Sequence, residues 1–530
     1  MRAKTSSVIS LPFNEPAPKL SHIRNLKKDK NTMRAYNLGK TAILAVFAAL
    51  LLVSGPASAS VIDQMIDGLS GAVFYKISLF GTPVELIVIW MAAPMLFLTV
   101  YFGFINLRSF KLAGRILKGQ YRDDNAPGEV TQFQALSTAL SGTVGLGNIA
   151  GVAIAIAMGG PGAAFWMTVI GFFAMTLKFA ECTLGVKYRK HHEDGTVSGG
   201  PMYYLGRGLA ARGWKKIGVV LAWSYALFAI PSLLQIAQVN QSYSQFSAVT
   251  GIDAPWLFGI VLAGLVAVVI VGGISKIASV TVKLVPLMAA LYIGAALFII
   301  LSNAAQIPDA LALIIREAWK PEAGIGAIIG AFVWGMRRAV YSTEAGLGSA
   351  TIAHAAAKTR EPVSEGMVAL LEPFIDTVVI SSMTALVIVV TGAWQVEGLT
   401  DIQMTSWAFN SVIDGFDMVL AVAVVLFAYS TIISWGYYSS KIWAFVFGSS
   451  RTSNTLFKVV YVVALIPGGV FTVSQVFDIM DSFFFLMAVP NIIGIYLMAG
   501  ELKRDIKSYH ARLESGEIKR ADQMVETPAQ

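Results

Sequence analysis

Long apolar runs alternate along this chain with short polar segments that are mostly basic. A membrane-crossing helix needs about 20 apolar residues. Beyond an apolar run that starts at Thr41, eleven runs reach spanning length, at about 83–107, 134–158, 162–186, 217–243, 255–273, 277–302, 325–353, 364–391, 417–446, 455–474 and 475–500. The pattern predicts an all-α polytopic membrane protein with eleven transmembrane helices.

Two of the runs have weak backbone. Residues 141–151 read S-G-T-V-G-L-G-N-I-A-G, with four glycines, each costing about 1 kcal/mol relative to alanine inside a helix. The second weak run, from Gly330, reads G-A-F-V-W-G-M-R-R-A-V-Y-S-T-E-A-G-L-G-S. With the first span set aside, ten remain, and each group of five opens on an interrupted run. Five is odd, so the two groups enter the bilayer from opposite sides and form a five-plus-five inverted repeat with two discontinuous helices. Paired interruptions of this kind mark a transporter's central site. Broken backbone is tolerated at mid-membrane only where it lines a protein-enclosed cavity. There the freed N–H groups attract a carboxylate and the freed carbonyls replace a cation's hydration shell, which suits an amino acid bound together with a cation. The competing reading is close glycine packing between helices.

Charge adds an orientation. Arg108, Lys111, Arg115, Lys118 and Arg122 fall on one side of the alternating runs, as do Lys187, Arg189, Lys190, Arg207, Arg212, Lys215 and Lys216. Lys276, Lys358, Arg360, Arg451, Lys458 and the basic residues after 501 join them, whereas the other side has only Lys76, Arg316 and Lys320. The positive-inside rule makes the first side cytoplasmic, with the N-terminus of the first span outside and the C-terminus inside. Of the 530 residues, 55% are apolar and 14% charged, against about 25% charged in soluble proteins. The net charge of +8 sits in these loops, so it reads as topology and not as a nucleic-acid surface. A single cysteine, Cys182, excludes an intrachain disulfide and a cysteine metal cluster.

Residues 1–59 form a basic extension and a signal-peptide-like segment: Lys40, an apolar run, then A-S-A at 57–59. Met33 opens a compact version of it and is the expected start. Residues 60–133 hold an extracytoplasmic segment, the first helix and a basic loop. The two repeats occupy 134–302 and 303–500, and 501–530 is a cytoplasmic tail with no assigned role.

Several stretches resemble the alanine or glycine:cation symporters of the amino acid–polyamine–cation superfamily, over about residues 83–500. They are S-T-A-L-S-G-T-V-G-L-G-N-I-A-G-V-A-I-A-I followed by G-G-P-G-A-A-F-W-M, then A-E-C-T-L-G-V-K-Y-R at 180–189, G-G-P-M-Y-Y at 199–204, Y-S-T-E-A-G-L-G-S-A at 341–350 and E-P-F-I-D-T at 372–377. The resemblance implies a LeuT-type fold and sodium-coupled import of small neutral amino acids (alanine, glycine, then serine) across a bacterial plasma (inner) membrane, without a cofactor. Proton coupling on the same fold is the alternative. The chain departs from the family at Leu146, where a Thr is usual, and at Val333, where Arg is frequent. The V-G-L-G-N spelling is instead similar to the neurotransmitter:sodium symporters.

The substrate-site candidates begin with Gly145, Leu146 and Gly147, whose N–H groups are to meet the carboxylate. Asn148 follows, for an amino group or sodium; its alternative role is an amide tying two helix halves. Gln241 stands in a polar cluster with Gln235, Gln238 and Asn240 that is costly in a span unless it faces a polar interior. The resemblance puts Trp334 and Gly335 at the second break, over the substrate side chain, and Thr431 near substrate and sodium. Thr431 and Trp435 are four apart and share a helical face. The expected sodium ligands are the carbonyls of Ser141 and Val144, the Thr431 hydroxyl, Ser430 and Asn148, oxygen ligands that suit a hard cation. Lys178 and Glu181 are three apart, on one helical face, where they could pair. The charges Glu372, Asp376, Arg337, Arg338 and Glu344 are read as structural or gating groups, none at the centre of a break. An ion channel would need a filter-like pore loop, and an enzyme a nucleophile–base pair or metal ligands at depth; neither is present in the sequence.

Overall fold

The computed structural model describes residues 68–525, apart from position 80 and residues 321–324 and 471–472. The signal-like segment and Met33 lie outside the described residues. A short antiparallel hairpin, β1 Lys76–Leu79 and β2 Thr82–Glu85, leads into the helices. The principal helices begin with α1 Leu86–Tyr101, α2 Gln132–Thr143, α3 Ala150–Gly159, α4 Gly162–Lys187, α5 Lys215–Ala229 and α6 Ile236–Thr250. They continue with α7 Pro255–Ile270, α8 Gly273–Ser302, α9 Ile325–Thr343, α10 Pro362–Val390, α11 Asp417–Phe447, α12 Arg451–Leu465 and α13 Val473–Glu514. Among the described residues, five helices are long and apolar enough to cross a membrane, or six if the bent pair beginning at α2 is one span.

Local chemistry sets the boundaries. Thr131 opens α2 with a reciprocal capping box: its side chain accepts from the Gln134 N–H, and the Gln134 side chain accepts from the Thr131 N–H. Gly160, at φ +70°, makes the turn between α3 and α4. Proline stands in the first turn of α7 and of α10, where its missing N–H has no partner to lose. The outward faces are apolar. On α7, Leu257, Val261, Leu265 and Val268 are exposed, Val268 by 72%, while Leu262, Val266 and Val269 are buried and the helix packs on α8, α11 and α12. An apolar exterior over a polar-spotted interior is what a lipid solvent demands.

Several elements differ from the pattern-based expectation. The run at 217–243 is split by a tight turn at Pro231–Leu234, after which Gln235 takes φ +22°. The first run loses its N-terminal residues to β2, because Thr82–Glu85 pairs with Lys76–Leu79. The last run does not end near 500; α13 runs on as one helix to Glu514, and its end packs on the basic segments. Within α10, residues Phe374–Ser381 widen into a π-helical turn, a local unwinding often found at functional sites.

The second interruption is also displaced. Helix α9 is continuous through Trp334 and Gly335 to Thr343, and the chain unwinds only at Glu344 (φ +51°), Gly346 (φ +94°) and Gly348 (φ +74°). Gly335 serves close packing: a Cβ there would lie 2.9 Å from the Trp166 Cβ on α4. Trp334 is half-buried, its ring 5.0 Å from the Arg337 guanidinium. A glycine at a helix–helix crossing costs helix propensity without breaking the helix, whereas the pair in A-G-L-G needs positive φ.

A candidate substrate and cation site at the first break

Helix α2 ends at Thr143, and the chain resumes at Leu146 with its axis turned by 61°. Val144 and Gly145 are extended, and Leu146–Asn148 forms one tight turn before α3. The break is buried throughout, Leu146 being 5% exposed and Asn148 fully enclosed. Its hydrogen bonds divide the three glycine-region N–H groups. Gly145 N–H donates to Asn148 Oδ1 at 2.9 Å, so that donor is engaged, contrary to expectation. The N–H groups of Leu146 and Gly147 have no acceptor among the described residues. Two adjacent buried donors at the start of a helical segment form an anion-binding corner.

Asn148 binds the break together. Its amide nitrogen lies 2.7 Å from Asp376 Oδ1, 2.9 Å from the Asp376 carbonyl, 3.1 Å from Ser342 Oγ and 3.1 Å from Ser381 Oγ. These bonds hold the break against α9 and α10. Asp376 also accepts from Ser342 Oγ at 2.6 Å and Thr377 Oγ1 at 2.7 Å. It is fully buried and has no cationic side chain within ion-pair distance among the described residues. The π turn is what aims Asp376 at the break, while Glu372, four residues earlier, faces α4. Sequence reasoning noted both acids but placed neither at the centre of a break, since four-residue spacing puts them on one face only of a regular α-helix.

Helix α11 closes the other side. Ser141 Oγ donates to the Ser430 carbonyl at 2.7 Å, and Ser430 Oγ reaches the Ser141 carbonyl at 3.3 Å. The predicted partners across α2 and α11 are thus adjacent. Thr431 Oγ1 is buried, has no hydrogen-bond partner among the described residues, and lies 2.9 Å from where a Cβ on Gly145 would sit. Glycine at 145 is therefore required by the approach of this hydroxyl. Gln238 Oε1, also without a partner among the described residues, lies 4.0 Å from the same point. Gln238 was noted only as part of a polar cluster. Gln241 is buried three residues further along α6.

Trp435, one turn along α11 from Thr431, stands beside the second interruption. Its Nε1 donates to Glu344 Oε1 at 3.0 Å, and its ring packs at 5.5 Å on Phe484. Glu344 also accepts from Ser349 Oγ. This acid stands at the start of the second break, another position that composition does not reveal. The Lys178–Glu181 pair that their spacing allows is not formed. Lys178 Nζ meets Glu372 Oε1 at 3.1 Å, and Glu181 accepts from Asn491 Nδ2 at 2.6 Å.

The comparisons with known proteins agree with this architecture. The family model of the sodium:alanine symporters matches residues 68–523. The chain is 38% identical over 431 residues to the sodium/alanine symporter AgcS of Methanococcus maripaludis, covering 80% of this chain and 94% of that one. It is 31% identical over 442 residues to the probable sodium/glutamine symporter GlnT of Bacillus subtilis, covering 82% and 89%. Among solved structures, the crystal structure of MhsT in complex with L-phenylalanine matches with a TM-score of 0.50 at 17% identity, over 69% of this chain and 89% of that chain, a likeness of fold. A family match over nearly all described residues, on helices interrupted around buried unpaired donors, leads to one conclusion: this multi-pass membrane protein belongs to the sodium:alanine symporter family, whose members are sodium-coupled amino acid transporters and not enzymes.

Proposed function

We propose that the protein imports small neutral amino acids, alanine and glycine first and serine next, with sodium, by alternating access. The observation that carries this reading is the pair of buried N–H groups at Leu146 and Gly147 beside the unpartnered hydroxyl of Thr431. In this reading the N–H pair receives the substrate carboxylate. The carbonyls of Ser141 and Val144, with Thr431 and Ser430, receive sodium. Gln238 and Gln241 face the substrate from α6. The relatives named for alanine and glutamine support a neutral substrate. Eleven spans in two inverted halves follow from the thirteen principal helices if α2 with α3, and α5 with α6, each form one span. The basic loops then face the cytoplasm.

Alternating access also needs a closure that can open. Here Arg189 donates to the carbonyls of Pro127, Ala355, Ala357 and Thr359 at 2.7–2.8 Å. It thereby clasps the segment before α2 to the segment after the second interruption. In the proposed orientation this clasp is the cytoplasmic gate.

The test is uptake of labelled alanine into proteoliposomes at fixed pH, with and without an inward sodium gradient. Accumulation only with sodium is expected; equal accumulation on a proton gradient alone would overturn sodium coupling. A proton-coupled reading retains one specific support, the fully buried Asp376 at the break. Thr431→Val keeps the shape and removes one ligand. The lost oxygen ligand is comparable in strength to a hydrogen bond to a charged group, about 1.5–3 kcal/mol, so sodium affinity should fall roughly ten- to hundredfold. Thr431→Ser should restore most of it, as read from the sodium dependence of uptake.

A further inference from the structure

A cleft of about 460 Å3 lies between the C-terminal end of α1 and the last turns of α13. Arg108, Ser109, Lys503, Lys507 and His510 line it, with Tyr101 as one wall. The basic residues around it are paired with acids. Lys187 meets Glu501 and Asp505, each at 2.5 Å; Arg212 meets Glu501; Arg512 meets Glu361 at 2.5 Å. Arg108, Lys503 and Lys507 have no carboxylate within ion-pair distance among the described residues. Glu514 stands on the rim, exposed, one negative charge against three positive ones. Lys503 Nζ sits 4.0 Å above the Tyr101 ring. His510 is held by its own helix, with Nδ1 2.9 Å from the Ile506 carbonyl, and its Nε2 is 3.5 Å from Ser109 Oγ.

The cleft ends an apolar strip. Leu96, Phe97 and Val100 of α1 are exposed, Val100 by 65%, and Phe97 stacks on Tyr101 at 5.2 Å. Aromatic rings at the end of a lipid-facing strip mark the headgroup level. Three unpaired cations at that level, on the side with the basic loops, match the anionic leaflet. We propose that this cleft binds the phosphate headgroup of an anionic phospholipid, with its acyl chains along Leu96, Phe97 and Val100. Arg108, Lys503 and Lys507 would hold the phosphate, and the α13 extension, formerly without a role, would serve as half of the site.

The experiment uses the purified full chain and compares retention of phosphatidylglycerol and phosphatidylcholine by native mass spectrometry. Each basic group near the headgroups contributes roughly fivefold. The triple variant Arg108→Gln, Lys503→Gln, Lys507→Gln should therefore lose about a hundredfold in phosphatidylglycerol binding and nothing for phosphatidylcholine. A control with the same charge loss at exposed positions outside the cleft, Lys118→Gln, Lys215→Gln, Lys216→Gln, should bind as the parent does. If the triple variant fails to fold, Lys507→Gln alone, exposed on the helix, should cost about fivefold. Retention unchanged in these variants overturns the proposal, and so does an equal loss in the control. Thermal stabilisation by inorganic phosphate equal to that by short-chain phosphatidylglycerol also overturns it, since the site would then take a free ion.

Discussion

Lys178→Met should destabilise the protein by about 3–5 kcal/mol, the cost of leaving a buried charge without its partner. Lys178 and Glu372 are both fully buried in the middle of packed helices, 3.1 Å apart. Glu372 Oε2 lies 3.5 Å from His354 Nε2, and His354 Nδ1 lies 2.6 Å from Glu365 Oε1, while Glu365 Oε2 accepts from Gln132 Nε2 at 2.9 Å. The chain of groups joins α4, the segment after the second break, α10 and the start of α2. Removing Lys178 leaves two carboxylates to one histidine. The double variant Lys178→Met, Glu372→Gln removes the excess charge and should recover much of the loss. Unfolding in detergent, followed by tryptophan fluorescence against temperature, reads both. A single variant as stable as the parent, or a double variant no better than the single, would refute this account of the network.

This network shows where sequence reading reached its limit. The apolar runs gave the helices, because a lipid solvent leaves a polar backbone few alternatives. The first break was legible to the residue, since S-G-T-V-G-L-G-N combines glycine density with a position inside a spanning run. The second was misplaced by about ten residues. Gly330 and Gly335 weigh as heavily in composition as Gly346 and Gly348, but only the latter pair sits at positive φ. Pairing across helices was the least legible. Lys178 and Glu181 share a face by spacing, yet each turns to a residue hundreds of positions away or nearly so, Glu372 and Asn491. Spacing within one helix says which side chains share a face and nothing about what faces them. The same limit hid Asp376, whose direction depends on the π turn at Phe374–Ser381, a feature without a sequence period.

Asp376→Asn should leave the fold intact and still abolish most sodium-driven uptake. Oδ1 of Asp376 faces the Asn148 amide, which can only donate, at 2.7 Å. Oδ2 faces the hydroxyls of Ser342 and Thr377, at 2.6 and 2.7 Å. An asparagine can keep its oxygen toward Asn148 and turn its NH2 toward the two hydroxyls, which rotate to accept. The hydrogen-bond geometry therefore survives, and what the substitution removes is the charge. Asn148 links this carboxylate to Gly145, so the lost charge lies next to the proposed cation and substrate. For charges about 8 Å apart, the reach of that link through Asn148, at an effective dielectric constant of about 20, the missing attraction is about 2 kcal/mol, roughly thirtyfold in cation affinity. The measurement is alanine uptake at several sodium concentrations and several pH values, beside a melting curve. Unchanged melting with lost sodium dependence would make sodium the counter-charge of Asp376. Retained sodium dependence with lost pH dependence would make it a proton, and the coupling reading would shift accordingly. Parent-like uptake under every condition would mean that the three hydrogen bonds alone satisfy Asp376 and that its charge has no part in transport.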